Sequence, residues 1–181
     1  KTLQKSDASV YYFASSDKER VTKSIDKEEI CAIGNHTIVT REQVQMYTKF
    51  YEITYDKTLS EKKAIAYAKE RNALYVAAMQ NGYQVTDGQV KAYVEELKQN
   101  LDGIWTKEQN EKLLSGFASE DDYWAFEQKV YRIDLPIQNY VRDKENEFNR
   151  KNESGQTWDE AFKTLKQNLV DEQQYKDSSS Y

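Results

Sequence analysis

A chain of 181 residues carrying 26 basic and 31 acidic side chains, mixed along its length to a net charge of -5, can bury one real core. It offers no dense basic cluster for a phosphate backbone, so nucleic acid is not an expected partner. One cysteine excludes an internal disulfide and a cysteine-rich metal site, and no apolar run approaches the roughly 18 residues that a bilayer span needs.

Six glycines and a single proline leave few helix breakers, and helix is the default expectation. Residues 1–29 are polar apart from Val10-Tyr11-Tyr12-Phe13 and read as an N-terminal arm, partly flexible. Its aromatic patch either moves with the arm or docks on the domain or on another copy of it. Two short β-prone runs then flank Gly34-Asn35, predicting a hairpin over 30–39 with a tight primed turn at that pair. Thr40 caps a first helix over 41–55, with Gln43 reaching back to complete a capping box. Val44, Tyr47, Phe50 or Tyr51, and Ile53 face inward there.

Ser60 caps a second helix ending near Asn81, with Ala64, Tyr67, Ala68, Arg71, Tyr75, Ala78 and Met79 at helical spacing. Gly82 stops it as a left-handed C-terminal residue. Thr86 with Gln89 forms a second capping box, opening a helix striped by Val90, Tyr93, Val94, Leu97 and Leu101. A shorter helix covers Lys107 to Leu114 and breaks at Gly116.

Ser119 with Asp122 starts the longest helix, whose apolar positions from Tyr123 to Phe148 keep steps of three and four over about seven turns. Pro136 in its middle predicts a kink without a break, because the stripe keeps its phase across it. A polar linker at 152–156 leads to Thr157 and Glu160, a third capping box. The last helix, over 157–176, carries Trp158, Ala161, Phe162, Leu165 and Leu169, a stripe that has to bury against the helices of residues 41–101. The single helical domain thus spans 30–176, and residues 177–181 read as a frayed tail.

Three segments share an order with a known family. They are Ile30-Cys31-Ala32-Ile33-Gly34-Asn35 followed by Thr40, then Ala77-Ala78-Met79-Gln80-Asn81-Gly82-Tyr83-Gln84-Val85-Thr86-Asp87, then Gly116-Phe117-Ala118-Ser119-Glu120-Asp121-Asp122-Tyr123. Over about residues 28–150 their order and spacing resemble the N-terminal chaperone domain of the SurA and PrsA type of extracytoplasmic folding factors. The chain departs from that family in having Gly34-Asn35 where Asn-Gly is usual. It also lacks the parvulin prolyl-isomerase segment between the long helix and the returning last one.

The resemblance implies a mainly α, multi-helix domain with one small β-hairpin and a long kinked helix. It implies non-enzymatic, chaperone-like binding of unfolded or extended polypeptide in the bacterial cell envelope. Location there, and any membrane contact, would depend on a signal or anchor outside this sequence. The alternative is a structural or assembly component of an envelope complex that binds one fixed partner. Related modules often fill an open groove with a second copy or a terminal segment, so a homodimer in which the arm or the hairpin region reaches the partner's helices is a further expectation.

The chemistry of single residues adds little. His36, the sole histidine, reads as a solvated turn residue, and Cys31 as a buried, inert thiol. Asp121-Asp122 suit a helix N-terminus better than a cation. No catalytic residue, metal site or cofactor is expected. The fourteen tyrosines stand out. Each either buries its ring in a half-exposed helix face with the hydroxyl wet, or lines a groove for polypeptide. Tyr47, Tyr51, Tyr67, Tyr75, Tyr93, Tyr123 and Tyr140 are the candidates, and the sequence does not sort them.

Overall fold

A computed structural model describes residues 4–5, 10–104, 106–151 and 155–178. The chain is mainly helical with a few short strands. Parts of the expected arm (1–3 and 6–9), linker (152–154) and tail (179–181) lie outside the described residues.

In chain order, β1 (Gln4–Lys5) pairs antiparallel with β2 (Tyr11–Tyr12). A 3₁₀ turn at Ser15–Asp17 leads into α1 (Lys18–Lys23), and another at Lys27–Glu29 leads into β3 (Ile30–Ile33). There follow β4 (Ile38–Thr40), α2 (Arg41–Tyr55), α3 (Glu61–Gln80), α4 (Asp87–Ile104), α5 (Lys107–Ser115), α6 (Glu120–Lys151), α7 (Trp158–Gln173) and β5 (Lys176–Asp177). The larger sheet has the order β4-β3-β5, all antiparallel, with a bulge at Cys31 between the Ile30/Thr40 and Ala32/Val39 pairs.

The centre of the fold is α3. From Asn72 to Met79 every residue is buried, which only a helix covered on all sides permits. Its buried alanines, at 64, 68, 73, 77 and 78, let α2, α6, α7 and the hairpin approach closely. Leu74, Tyr75, Ala78 and Met79 pack with Ile133, Ile137 and Tyr140 of α6. A second apolar cluster joins Val90 and Val94 of α4, Leu113 of α5, and Tyr123 and Trp124 of α6. The long α6 is shared by both clusters and runs unbroken through buried Pro136.

Local signals explain most boundaries. Thr86 and Gln89 close their capping box, Gln89 N–H to Thr86 Oγ1 at 3.2 Å and Thr86 N–H to Gln89 Oε1 at 2.8 Å. Thr157 and Glu160 do the same, and so do Thr106 and Gln109, a pair that the sequence reading passed over. Gly82 takes the left-handed conformation at φ 83°.

Several expectations are corrected. Of the two readings of the aromatic patch, the docked one holds: Val10, Phe13 and Val21 are buried, and Phe13 sits under the sheet with Ile30, Ile33 and Ile38. The aromatic patch is therefore spent, through Phe13, on its own chain. Apolar residues inside a polar stretch dock whenever a sheet face would otherwise stay wet. The hairpin tip is Asn35-His36, closed by Gly34 N–H donating to the Thr37 carbonyl at 2.8 Å, and neither residue has a positive φ. Gly34 is instead required for space, since a Cβ there would meet Gln173 Oε1 and Tyr175 Cε1 at 2.9 Å.

The tail is not wholly frayed, because Lys176 and Asp177 add an edge strand to β3. The last helix lies mainly along α3, as expected, but Trp158, Ala161, Phe162, Leu165 and Leu169 are only half-buried, and Gln173 is its one fully buried residue. Gln173 holds the hairpin tip: its carbonyl accepts from Asn35 N–H at 2.8 Å and its Oε1 from His36 N–H at 3.0 Å.

Candidate functional site

A capping threonine begins α2. Thr40 Oγ1 accepts from Gln43 N–H at 3.3 Å, but the expected box stays half-made because the Gln43 side chain turns inward. There its Nε2 donates to Asn72 Oδ1, and Asn72 Nδ2 donates to Gln43 Oε1 at 3.1 Å, to the Ile38 carbonyl at 3.2 Å and to Thr37 Oγ1 at 3.2 Å. A buried carboxamide is costly unless its donors and acceptors are used, and these are used. The network ties α2, α3 and the hairpin into one frame.

On that frame Tyr47, Tyr51 and Tyr55 recur every fourth residue along one side of α2. Asp56, left-handed at φ 53°, ends the helix, and the following loop brings Leu59 back before Ser60 caps α3. Tyr67, two turns into α3, meets the Tyr47 ring edge-on at 5.0 Å. Tyr51 and Tyr55 are tilted against each other at 4.8 Å. Together with Phe50, these residues line an open cleft of about 370 Å³. Its back wall is fixed to α6 by the stacking of Phe50 on Phe126 at 6.4 Å.

Tyr55 and Tyr67, 58% and 45% exposed, are the large apolar side chains most open to water among the described residues. The hydroxyl of Tyr47 accepts from Gln43 Nε2 at 3.4 Å. Burial pushes the Tyr47 and Tyr67 phenols above their ordinary value, so both stay protonated donors at neutral pH. One turn on from Tyr67, Arg71 forms an ion pair with Asp134 of α6. The Asp134 carboxylate holds the Arg71 guanidinium charged against the opposing cost of burial.

The structure thus brings together three of the seven candidate tyrosines, Tyr47, Tyr51 and Tyr67. The others serve elsewhere. Tyr75 and Tyr140 lie in the central core, the latter edge-on to Tyr83 at 5.6 Å. Tyr123 is buried against Trp124 and Phe117. Tyr93 is half-buried on Tyr131 at 4.9 Å, its hydroxyl 3.4 Å from Gln138 Oε1. Sequence reasoning missed Tyr55 and Leu59 as lining residues and took Phe50 only as inward-facing. The four-residue recurrence of tyrosine was the signal available for Tyr55.

Other candidate groups have structural work. Cys31 is buried, and burial pushes its thiol up, which disfavours the thiolate. His36 is half-buried rather than solvated, its Nδ1 3.0 Å from the Phe13 carbonyl. Asp122 pairs with Ser119 at the start of α6, N–H to Oγ at 3.1 Å and Oγ to Oδ2 at 2.8 Å. Among the described residues no cluster of His, Cys, Asp or Glu could hold a metal ion, and no helix is long and apolar enough to cross a membrane.

One group went unnoticed in the sequence. Glu127, on α6, is 5% exposed. Burial pushes its carboxyl up to about 7, against the hydrogen bond from the Tyr123 hydroxyl, which favours the charged form; the charge of Asp134 adds to the rise.

Comparison with protein-family models, curated proteins and solved structures finds no match for this chain.

Proposed function

We propose that the chain is a non-enzymatic module that binds unfolded or extended polypeptide in the tyrosine-lined cleft between α2 and α3. The observation that carries this reading is the cleft itself. Five aromatic rings and a leucine surround about 370 Å³ of open space, and two of those rings are left largely in water. Exposed, contiguous apolar surface costs free energy and marks interaction sites. Tyrosine adds tolerance, because a ring can pack on many side chains while its hydroxyl bonds to backbone. The helical frame with a small hairpin fits the SurA and PrsA-type resemblance, which supplies the chaperone class and an extracytoplasmic setting. Carry-over of isomerase activity is not proposed.

The test is binding of a permanently unfolded polypeptide, followed by tyrosine and tryptophan fluorescence, to the native chain and to the double variant Tyr55→Ala, Tyr67→Ala. Both rings are partly exposed and each makes one ring contact, so the variant should stay folded with a melting midpoint lowered by a few degrees and lose affinity by about tenfold or more. Equal affinity in a folded variant, or no binding by the native chain, would refute the reading.

A further inference from the structure

We infer that the cleft takes polypeptide through its basic side chains, a lysine or arginine of the ligand lying over the tyrosine rings, an inference that rests on the binding role proposed above. The first observation is the chemistry of the lining. Four tyrosines, a phenylalanine and a leucine form it, and no lysine, arginine or carboxylate is among them. The face of an aromatic ring is the negative part of its quadrupole, so it attracts a cation and repels a carboxylate. Tyr47 is buried, so the rings within reach of a ligand are those of Phe50, Tyr51, Tyr55 and Tyr67. They are not parallel: Tyr51 lies at 45° to Tyr55, and Tyr67 at 86° to Tyr47.

The second observation is how the chain covers its other rings. Among the described residues five lysines lie over aromatic rings, 4.4 to 5.8 Å from the centroid. The rings of the cleft carry no such cation. Arg71, one turn on from Tyr67, is held by Asp134, and Lys49, next to Phe50 in the chain, lies over Phe117 at 4.4 Å. Glu52, Lys57 and Lys63 are exposed and do not line the cleft. The cleft thus groups rings that no cation of the described chain covers.

A basic side chain also suits the polar atoms present. Lysine and arginine bring N–H donors and no acceptor, and a phenol oxygen accepts. The hydroxyls of Tyr51, Tyr55 and Tyr67 make no hydrogen bond among the described residues, which leaves their oxygens open to such donors. The aliphatic stem of either side chain packs on apolar surface while its head stays near water. A neutral segment gains from buried area alone, and an acidic one faces ring quadrupoles of the wrong sign. The net charge of -5 speeds the approach of a basic segment and slows that of an acidic one.

The experiment titrates the chain with a short peptide carrying arginine at alternate positions, and with counterparts in which citrulline or glutamate replaces each arginine. Calorimetry at physiological and at high ionic strength reads the affinities. Arginine is the probe because its planar head stacks on rings, and citrulline keeps its shape without the charge. The arginine peptide should bind about tenfold tighter than the citrulline peptide, and the glutamate peptide should bind weakest. Tyr55→Leu and Tyr67→Leu keep apolar bulk and remove a ring; each should cut the preference for arginine about threefold and leave the citrulline peptide unaffected. Tyr55→Phe and Tyr67→Phe keep the ring and should retain most of the preference, which distinguishes loss of a ring face from loss of a hydroxyl. Circular dichroism checks the fold of every variant. A preference that vanishes at high ionic strength, or survives both leucine substitutions together, would assign it to the acidic surface and overturn the inference while the broader binding role stands. Equal affinity for the arginine and citrulline peptides, or binding of neither, would overturn it too. Failure on the unfolded polypeptide as well would remove both readings.

Discussion

Replacing Glu127 by glutamine isolates the one carboxyl that the fold holds almost dry among the described residues. Glutamine keeps the length of the side chain and can still accept from the Tyr123 hydroxyl, so the change removes ionisation and little else. In the unfolded chain the carboxyl titrates at 4.5; in the fold burial raises it to about 7. The folded state therefore binds more protons than the unfolded state between those values, and stability falls as pH rises through that window. The favourable contribution of the neutral acid is complete below 4.5 and lost above about 7. At about 1.4 kcal/mol per pH unit the gap is worth about 3 kcal/mol. For a chain of this size that corresponds to about 6–12 °C in melting midpoint. Urea unfolding of both proteins should coincide near pH 5 and separate progressively to pH 8, Glu127→Gln being the more stable. Parallel stability curves across that range would show that Glu127 is solvated or paired, and would refute the reasoning.

Phe13→Ala should cost about 3–5 kcal/mol in urea unfolding, because the ring is buried under the sheet; a loss below about 1 kcal/mol would return residues 10–13 to the status of an arm. Gly34→Ala should lower stability by about 1–3 kcal/mol, since the new methyl group meets Gln173 and Tyr175 at 2.9 Å, and an unchanged melting curve would contradict that packing. Gln173→Ala orphans the His36 N–H and should cost about 1–3 kcal/mol, at least as much as truncating half-buried Phe162; calorimetry giving the reverse order would place the hold of α7 in its stripe. A proline tetrapeptide should isomerise no faster with the chain present, and a rate rising with protein concentration would end the non-enzymatic reading.

The helices were legible because their signals are local. Thr86 with Gln89, Thr157 with Glu160, and Gly82 each act within a turn of themselves, and the structure realises all three. Failures began where a long-range contact outbid a local one. Gln43 abandoned its capping box because Asn72, 29 residues away, offers a buried partner. The turn expected at Gly34-Asn35 lies one residue on, at Asn35-His36, where Gln173 at the end of α7 accepts from both tip amides. Asn72, Glu127 and Gln173 carry no periodic or motif signal, and all three are buried polar residues whose role depends on what faces them. For the same reason the sequence did not sort the tyrosines: Tyr67 and Tyr75 occupy similar stripes of α3, one open to water and one in the core.

That distribution bears on how the cleft would work. A ligand gains most from walls that need no ordering on binding, since immobilising side chains and loops costs affinity. Here the α2 wall is pinned at its start by the Gln43–Asn72 network and supported along its length by Phe50 on Phe126. Near its end, Ile53 lies against Gly116, where a Cβ would come within 2.7 Å of it. The facing wall is α3, covered on all sides beyond Asn72 and tied to α6 through Arg71 and Asp134. Rigid walls carrying rotatable hydroxyls combine a fixed shape with groups that can donate or accept. Such a combination suits extended ligands of varied sequence, whose backbone carbonyls and amides can each find a hydroxyl.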